Sequence, residues 1–255
     1  MSIWGKIVGG AAGFAIGGPI GALLGGLAGH AVDKMRESAA PPSIEDQTRD
    51  GAGFGDEGTK SIAFTIGVIV LGAKMAKADG VVTKDEVSAF KEVFQVPPDE
   101  VKNVGRVFNQ ARQDAQGYEP YAKQLGRMFG ENPRVLEELL DGLFHIARAD
   151  GKVTQEEVTY LSQVAQAFGF TEAEWDRIRA ANMGPDKQDP YVILGVQRDD
   201  SDEAIRQAWR KLVQENHPDR LIAQGMPEEF VNLANEKLAT INHAYDQIRK
   251  SRGLP

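Results

Sequence analysis

A chain of 255 residues with 42% hydrophobic and 26% charged residues is ordinary globular material, with room for one to three structural units. Its formal net charge of −8 argues against nucleic acid as the main partner, because phosphate binding needs a basic footprint. It has no cysteine, which excludes a disulfide framework, a thiol nucleophile and a cysteine-ligated zinc, and a reducing compartment fits.

Ile7 to Gly29 carries no charge, and about 20 apolar residues suffice for a helix to cross a bilayer. Gly9, Gly13, Gly17, Gly21, Gly25 and Gly29 recur at every fourth position. On a helix they form one slowly drifting stripe, which lets two backbones approach closely in lipid. In water such a helix would suffer, at roughly 1 kcal/mol per glycine relative to alanine. Residues 1–34 are therefore expected to form a single transmembrane helix, with the stripe as a face for homodimerisation. A cleaved signal peptide fits less well, because the run is long for its apolar part and Ala28-Gly29-His30-Ala31 is a poor cleavage site. A flexible tail leaves the regular spacing unexplained. Lys6 before the span and Lys34 and Arg36 after it give a slight preference for a cytoplasmic carboxy-terminal side.

Residues 35–58, rich in Pro, Gly, Ala and acidic residues, read as a flexible linker. Gly53-Phe-Gly55-Asp-Glu-Gly58 matches the letters of a dinucleotide fingerprint. No strand precedes it, and Asp56 and Glu57 would repel a pyrophosphate, so no such site is expected.

Residues 59–182 show helical spacing of apolar residues throughout and contain an internal repeat. Ala76-Lys-Ala-Asp79-Gly80-Val-Val82-Thr83-Lys-Asp-Glu86-Val87 aligns with Ala147-Arg-Ala-Asp150-Gly151-Lys-Val153-Thr154-Gln-Glu-Glu157-Val158. In each copy the glycine permits a tight reversal. The threonine caps the next helix and the glutamate reaches back as its capping-box partner. The pattern also reproduces the second half of a calcium-binding helix–loop–helix. However, Met75 and Lys77, or Ile146 and Arg148, stand where the first oxygen ligands belong. Turn plus cap is the favoured reading. A nonstandard cation site shared by Asp79, Glu86, Asp150 and Glu157 is the alternative, and no resident metal is expected. His145, on an apolar helix, reads as structural; Arg106, Arg112, Lys123 and Arg127 read as solvated faces.

Residues 183–188 form a short polar break, and 189–255 a separate helical module. Tyr191, Leu194 and Val196 should pack as its first short element. Ser201 should cap a helix whose inward stripe is Ile205, Ala208, Trp209 and Leu212. Arg206 and Arg210 fall one turn apart on the outward face, beside Lys211. His217-Pro218-Asp219 follows at the helix exit, where proline stops the helix. Phe230, Ala234, Ile241, Tyr245 and Ile248 give the last helix a matching stripe, so an antiparallel hairpin would display the tripeptide at its tip.

The ordered set over 189–250 resembles a J-domain, the module with which co-chaperones stimulate ATP hydrolysis by DnaK-type chaperones. That resemblance implies a chaperone-binding face made of Arg206, Arg210, Lys211, His217, Pro218, Asp219 and Arg220, the last where the family usually has lysine. Gln214-Glu215-Asn216 departs from the basic and aromatic stretch usual there. The paired Ala-x-Ala-Asp-Gly motifs resemble the TerB-like helical domain of tellurite-resistance proteins. The whole order, together with Trp4-Gly5-Lys6-Ile7 and Leu221-Ile-Ala-Gln-Gly225-Met-Pro227, resembles the bacterial DjlA co-chaperones.

The expected fold is all-α: a glycine-rich transmembrane helix, a TerB-like bundle with an internal repeat and a J-domain hairpin. The expected function is a single-pass co-chaperone of the bacterial inner membrane with its bulk in the cytoplasm. It would act on a DnaK-type partner without a cofactor, and without being an enzyme. The alternative is a cation- or stress-sensing scaffold in which the acidic bundle is primary and the J-domain its effector.

Overall fold

The computed structural model describes residues 16–23, 25, 56–78, 88, 90–91, 96–98, 100–113, 117–149, 151–183 and 189–254, and among them every regular element is helical. The axis of the middle region is α1 (Asp56–Ala78), with α2 (Val101–Gln113), α3 (Glu119–Phe129), α4 (Pro133–Ala147) and α5 (Gln155–Phe168) packed against it. Every residue from Ile62 to Ala76 is buried. A helix that is apolar on all sides must be surrounded on all sides. Within it, Gly58–Ala76 is long and apolar enough to cross a membrane, although the sequence reading places its one span at Ile7–Gly29. Its neighbours identify it instead as the central helix of the bundle. It starts at Asp56, so the last three residues of the expected linker are helical.

The second copy of the repeat adopts the expected turn and cap. Gly151 takes φ +93°, a left-handed conformation that side chains with a Cβ resist. Thr154 Oγ1 accepts from the Glu157 amide, and Glu157 Oε2 accepts from the Thr154 amide at 2.7 Å, closing a capping box. Thr154→Ala is expected to lower stability by about 1 kcal/mol, read as a shift of the urea midpoint. Thr83 and Glu86 of the first copy lie outside the described residues.

Of the glycine stripe, Gly17, Gly21 and Gly25 are described; Gly9, Gly13 and Gly29 lie outside. The described part departs from one unbroken helix. Gly17 and Gly18 take φ of +61° and +60°, and helix resumes at 18–23. Gln124 on α3 caps the break: its Nε2 donates to the Gly17 carbonyl at 2.9 Å, and its Oε1 accepts from the Ile20 amide at 3.0 Å. Ile20 and Leu23 are buried in the bundle's apolar core.

After α6 (Glu172–Asn182) come α7 (Pro190–Leu194), α8 (Asp202–Glu215), α9 (Pro218–Ala223), a 3-10 turn (Glu228–Phe230) and α10 (Val231–Arg252). Ser201 caps α8 by accepting from the Ala204 amide. Ile205 and Leu212 are buried with Tyr191, Leu194, Ile241, Tyr245 and Ile248 in a small core of their own, with Val196 and Trp209 packed against it.

The first part of the expected α10 stripe is corrected. Phe230 and Ala234 do not face α8. With Leu221, Met226 and Leu233 they complete the core of the bundle. Phe230 meets Phe64 of α1 edge-on at 4.7 Å. Gly225 takes φ +104°, and a Cβ there would come within 2.7 Å of Lys60 Cβ, so only glycine lets this loop approach α1. Ser61 Oγ seals the contact by donating to the Gly225 carbonyl. The module after the break at 183–188 therefore shares a core with the bundle.

Candidate functional site

The tripeptide sits at the connecting end of the α8–α10 hairpin, as its position between two helical stripes requires. Asn216, buried at the α8 exit, donates its side-chain amide back to the Leu212 carbonyl. His217 then serves as N-cap of α9, its Nδ1 accepting from the Asp219 amide at 3.3 Å. Pro218 occupies the first helical position, where its missing N–H costs nothing. The tip has two sides. Pro218 is buried, whereas the side chains of His217 and Asp219 are 55% and 90% exposed, 3.8 Å apart.

Arg206, Arg210, Lys211 and Arg220 are all exposed, with Lys211 3.9 Å from Glu215 one turn on. Arg206 is steadied by donating from Nε to Tyr245 Oη at 3.4 Å. Tyr245 in turn stacks on Trp209 at 4.4 Å, and Trp209 Nε1 donates to Asn242. The α8–α10 hairpin is thus stiffened beneath its basic face.

The departures before His217 have a structural reason. Glu215 turns toward the bundle, where Arg134 at the start of α4 donates to its Oε2 from Nε at 3.0 Å and from Nη2 at 2.7 Å. Asn216 is fully buried. Glu215 thus serves docking of the module, while Asn216 closes the end of its own helix.

A buried charge cluster beside them was not legible as a site. Glu137, Glu138 and Asp141 on α4, Arg177 on α6 and Lys237 on α10 are all buried. Lys237 Nζ lies 2.7 Å from Glu137 Oε1, 3.0 Å from Glu138 Oε1 and 2.7 Å from Asp141 Oδ2. Arg177 grips Glu137 with both terminal nitrogens, at 2.8 and 2.5 Å. Asn182 donates to Asp141. Burial alone would raise the Glu137 carboxyl, but the charges of Arg177, Lys237 and Arg134 outweigh it and hold it well below the usual carboxylate range. Burial likewise disfavours the Lys237 ammonium, and Asp141, Glu137 and Glu138 more than offset it, raising its affinity for the proton. The available signal was weak but present: Lys237 continues the stripe of Leu233, Ala234 and Ile241, and Glu137, Glu138 and Asp141 lie among Leu136, Leu139 and Leu140.

Asp79, Glu86 and Asp150 lie outside the described residues, so the shared acidic site is represented by Glu157 alone. Its carboxylate is committed to the Thr154 cap. Among the described residues no group of three His, Asp or Glu side chains is placed to hold a metal ion, and the three α4 carboxylates close on Lys237 instead.

Three family models match the chain in order. Co-chaperone DjlA transmembrane domain matches residues 1–41, tellurite resistance protein TerB residues 65–180, and the DnaJ domain residues 189–252. Over 99% of its length the chain is 30% identical to all of the co-chaperone protein DjlA of Photobacterium profundum. It is 29% and 26% identical to those of Vibrio cholerae and Escherichia coli K12, with full coverage of both chains in each case. No solved structure matches it.

Proposed function

This chain belongs to the co-chaperone DjlA family, and from that membership we propose that its J-domain binds a DnaK-type chaperone and stimulates its ATP hydrolysis. A J-domain co-chaperone implies an Hsp70 partner, and the amino-terminal family match implies a membrane anchor. The observation that carries the proposal is the tip: His217 and Asp219 stand exposed beside Arg206, Arg210, Lys211 and Arg220, on a loop whose other side is buried. The chemistry stays in the partner. This chain supplies binding energy that favours the partner state poised for hydrolysis. With Glu215 turned to Arg134, positive charge is concentrated toward the middle of α8, so long-range steering is weaker than a fully basic helix would give.

The amino-terminal segment is a single-pass anchor in the bacterial inner membrane, with Lys34, Arg36 and the folded part on the cytoplasmic side; because Ile20 and Leu23 are buried in the bundle here, the segment leaves the bundle to enter the bilayer. Tethering raises the local concentration of the J-domain near the membrane. In that inserted form, as one helix without the break at Gly17 and Gly18, the stripe from Gly9 to Gly29 is the surface through which two copies pair. Residues 35–58 act as the spacer, 59–182 as the TerB-like body and 189–255 as the J-domain. No cofactor or nucleic acid takes part.

The test is single-turnover ATP hydrolysis by a purified DnaK-type chaperone with the full chain in lipid nanodiscs, as wild type and as His217→Gln. The wild type is expected to accelerate hydrolysis, and the variant to return it to the unstimulated rate at an unchanged unfolding midpoint. His217 is more than half exposed and glutamine keeps a side-chain acceptor for the cap. Stimulation retained by the variant would refute the role of the tip, and no stimulation by either protein would refute the proposal.

A further inference from the structure

The interface between the J-domain and the bundle holds an odd number of charges. From α4 it receives Glu137, Glu138 and Asp141, from α6 Arg177 and from α10 Lys237, all buried. At its edge Arg134 of α4 bridges Glu137 and Glu215 of α8, and the exposed Lys211 of α8 lies 3.9 Å from Glu215. Three buried carboxylates thus face two buried cations.

The surplus falls on Glu138. Glu137 has Arg177, Lys237 and Arg134; Asp141 has Lys237 and the Asn182 amide. Glu138 has Lys237 alone, at 3.0 Å, and neither of its buried oxygens receives a well-aligned hydrogen bond. A buried carboxylate so poorly compensated is neutralised most cheaply by a proton. Burial pushes its carboxyl up to about 7; Lys237 opposes the rise, while Asp141 and Glu137 add to it.

The other charged groups near the cluster do not cancel this. Glu174 lies beside Arg177, and Arg148 donates to the Asn182 carbonyl. His145 Nδ1, 4.0 Å from Glu236 of α10, gains an ionic attraction across the interface only when protonated.

We propose that this interface is a proton-linked latch: Glu138 takes up a proton when Lys237 seats among the α4 carboxylates, and seating holds the His217-Pro218-Asp219 tip on the bundle. The latch is a property of this chain by itself; its consequence for a chaperone rests on the function proposed above. The sign follows from the two states. Seated, the Glu138 carboxyl is raised to about 7; unseated, it faces water and titrates in the ordinary carboxylate range. Proton assistance is complete below the ordinary value. It declines by about tenfold in the seated-to-open ratio per pH unit as pH rises toward 7, then levels off. Acidification tightens the latch.

The absence of cysteine allows a clean test. Leu233, buried at the interface where a Cβ on Gly142 of α4 would lie 3.6 Å from its Cδ2, is replaced as Leu233→Cys in the full chain in nanodiscs. Its reaction with dithiodipyridine, divided by the rate in urea at the same pH, measures how often the interface opens. Ala165→Cys, in the bundle interior, measures global unfolding in the same way. Protection at Leu233→Cys is expected to fall by about tenfold per pH unit from pH 5 to 7 and then flatten. The slope should fall sharply in the Glu138→Gln background, leaving only what the His145–Glu236 contact contributes, and protection should be lower than at Ala165→Cys throughout. A slope unchanged by Glu138→Gln, no slope in the parent, or equal protection at the two cysteines would overturn the latch. None of these results depends on a chaperone. A thiol slope with no ATPase stimulation would instead sink the co-chaperone reading and leave the latch standing.

Discussion

Lys237→Met is expected to lower the unfolding free energy by about 3–5 kcal/mol at pH 7.5, the usual cost of removing one partner from a buried ion pair. Methionine fills much the same volume, so the loss is mainly one of charge. Three carboxylates remain buried with Arg177, and of the three Arg134 reaches Glu137 alone while also pairing with Glu215. Below pH 6 the loss should shrink, because Glu138 then carries its proton in either protein. The double variant Lys237→Met/Glu138→Gln should recover part of the stability, since residues in one network are not additive. Urea unfolding at the two pH values provides the measurement. An unchanged midpoint at pH 7.5 would mean that water compensates the carboxylates and that the interface is held by its apolar contacts alone.

Phe230→Ala should cost a similar amount, about 3–5 kcal/mol, by leaving a cavity between the J-domain and α1. The ring is 1% exposed and meets Phe64 edge-on, and Phe64 meets Phe129 in the same manner at 6.2 Å. The variant should therefore destabilise the bundle as well as the module in which it is made. Trp175, stacked on Phe144, reports the bundle, and Trp209, stacked on Tyr245, reports the hairpin. In the wild type, unfolding followed at the two sites should coincide; in Phe230→Ala both should move together. A shift at Trp209 with none at Trp175 would show two independently stable parts.

The shared core bears on how the tip is presented. A J-domain on a free linker would sample many orientations. Here Pro218 and Leu221 are buried and Gly225 lies against α1, so the loop behind the exposed His217 and Asp219 is fixed by the bundle. Ordering that a partner would otherwise impose on binding is already in place. Glu215 marks this arrangement, as a departure from the J-domain pattern that docking explains.

The sequence by itself determined the features that depend on near neighbours. The capping box of Thr154 and Glu157, the reversal at Gly151, the N-cap at Ser201 and the helix stop at Pro218 are set within a few residues, and all are present. The periodic stripes placed the helices, and the ordered motifs identified the family. Two readings needed the fold. Gly58–Ala76 satisfies the length and apolarity of a membrane span, and only its packed neighbours make it a core helix. Phe230, Ala234 and Lys237 lie on an inward stripe, but periodicity states which way a side chain faces and not what it meets. Whether Lys237 meets solvent, its own hairpin or three carboxylates on α4 was decided by contacts between distant parts of the chain. The protonation of Glu138 depends on that encounter, because the energy of a buried charge is set by the groups the fold places around it.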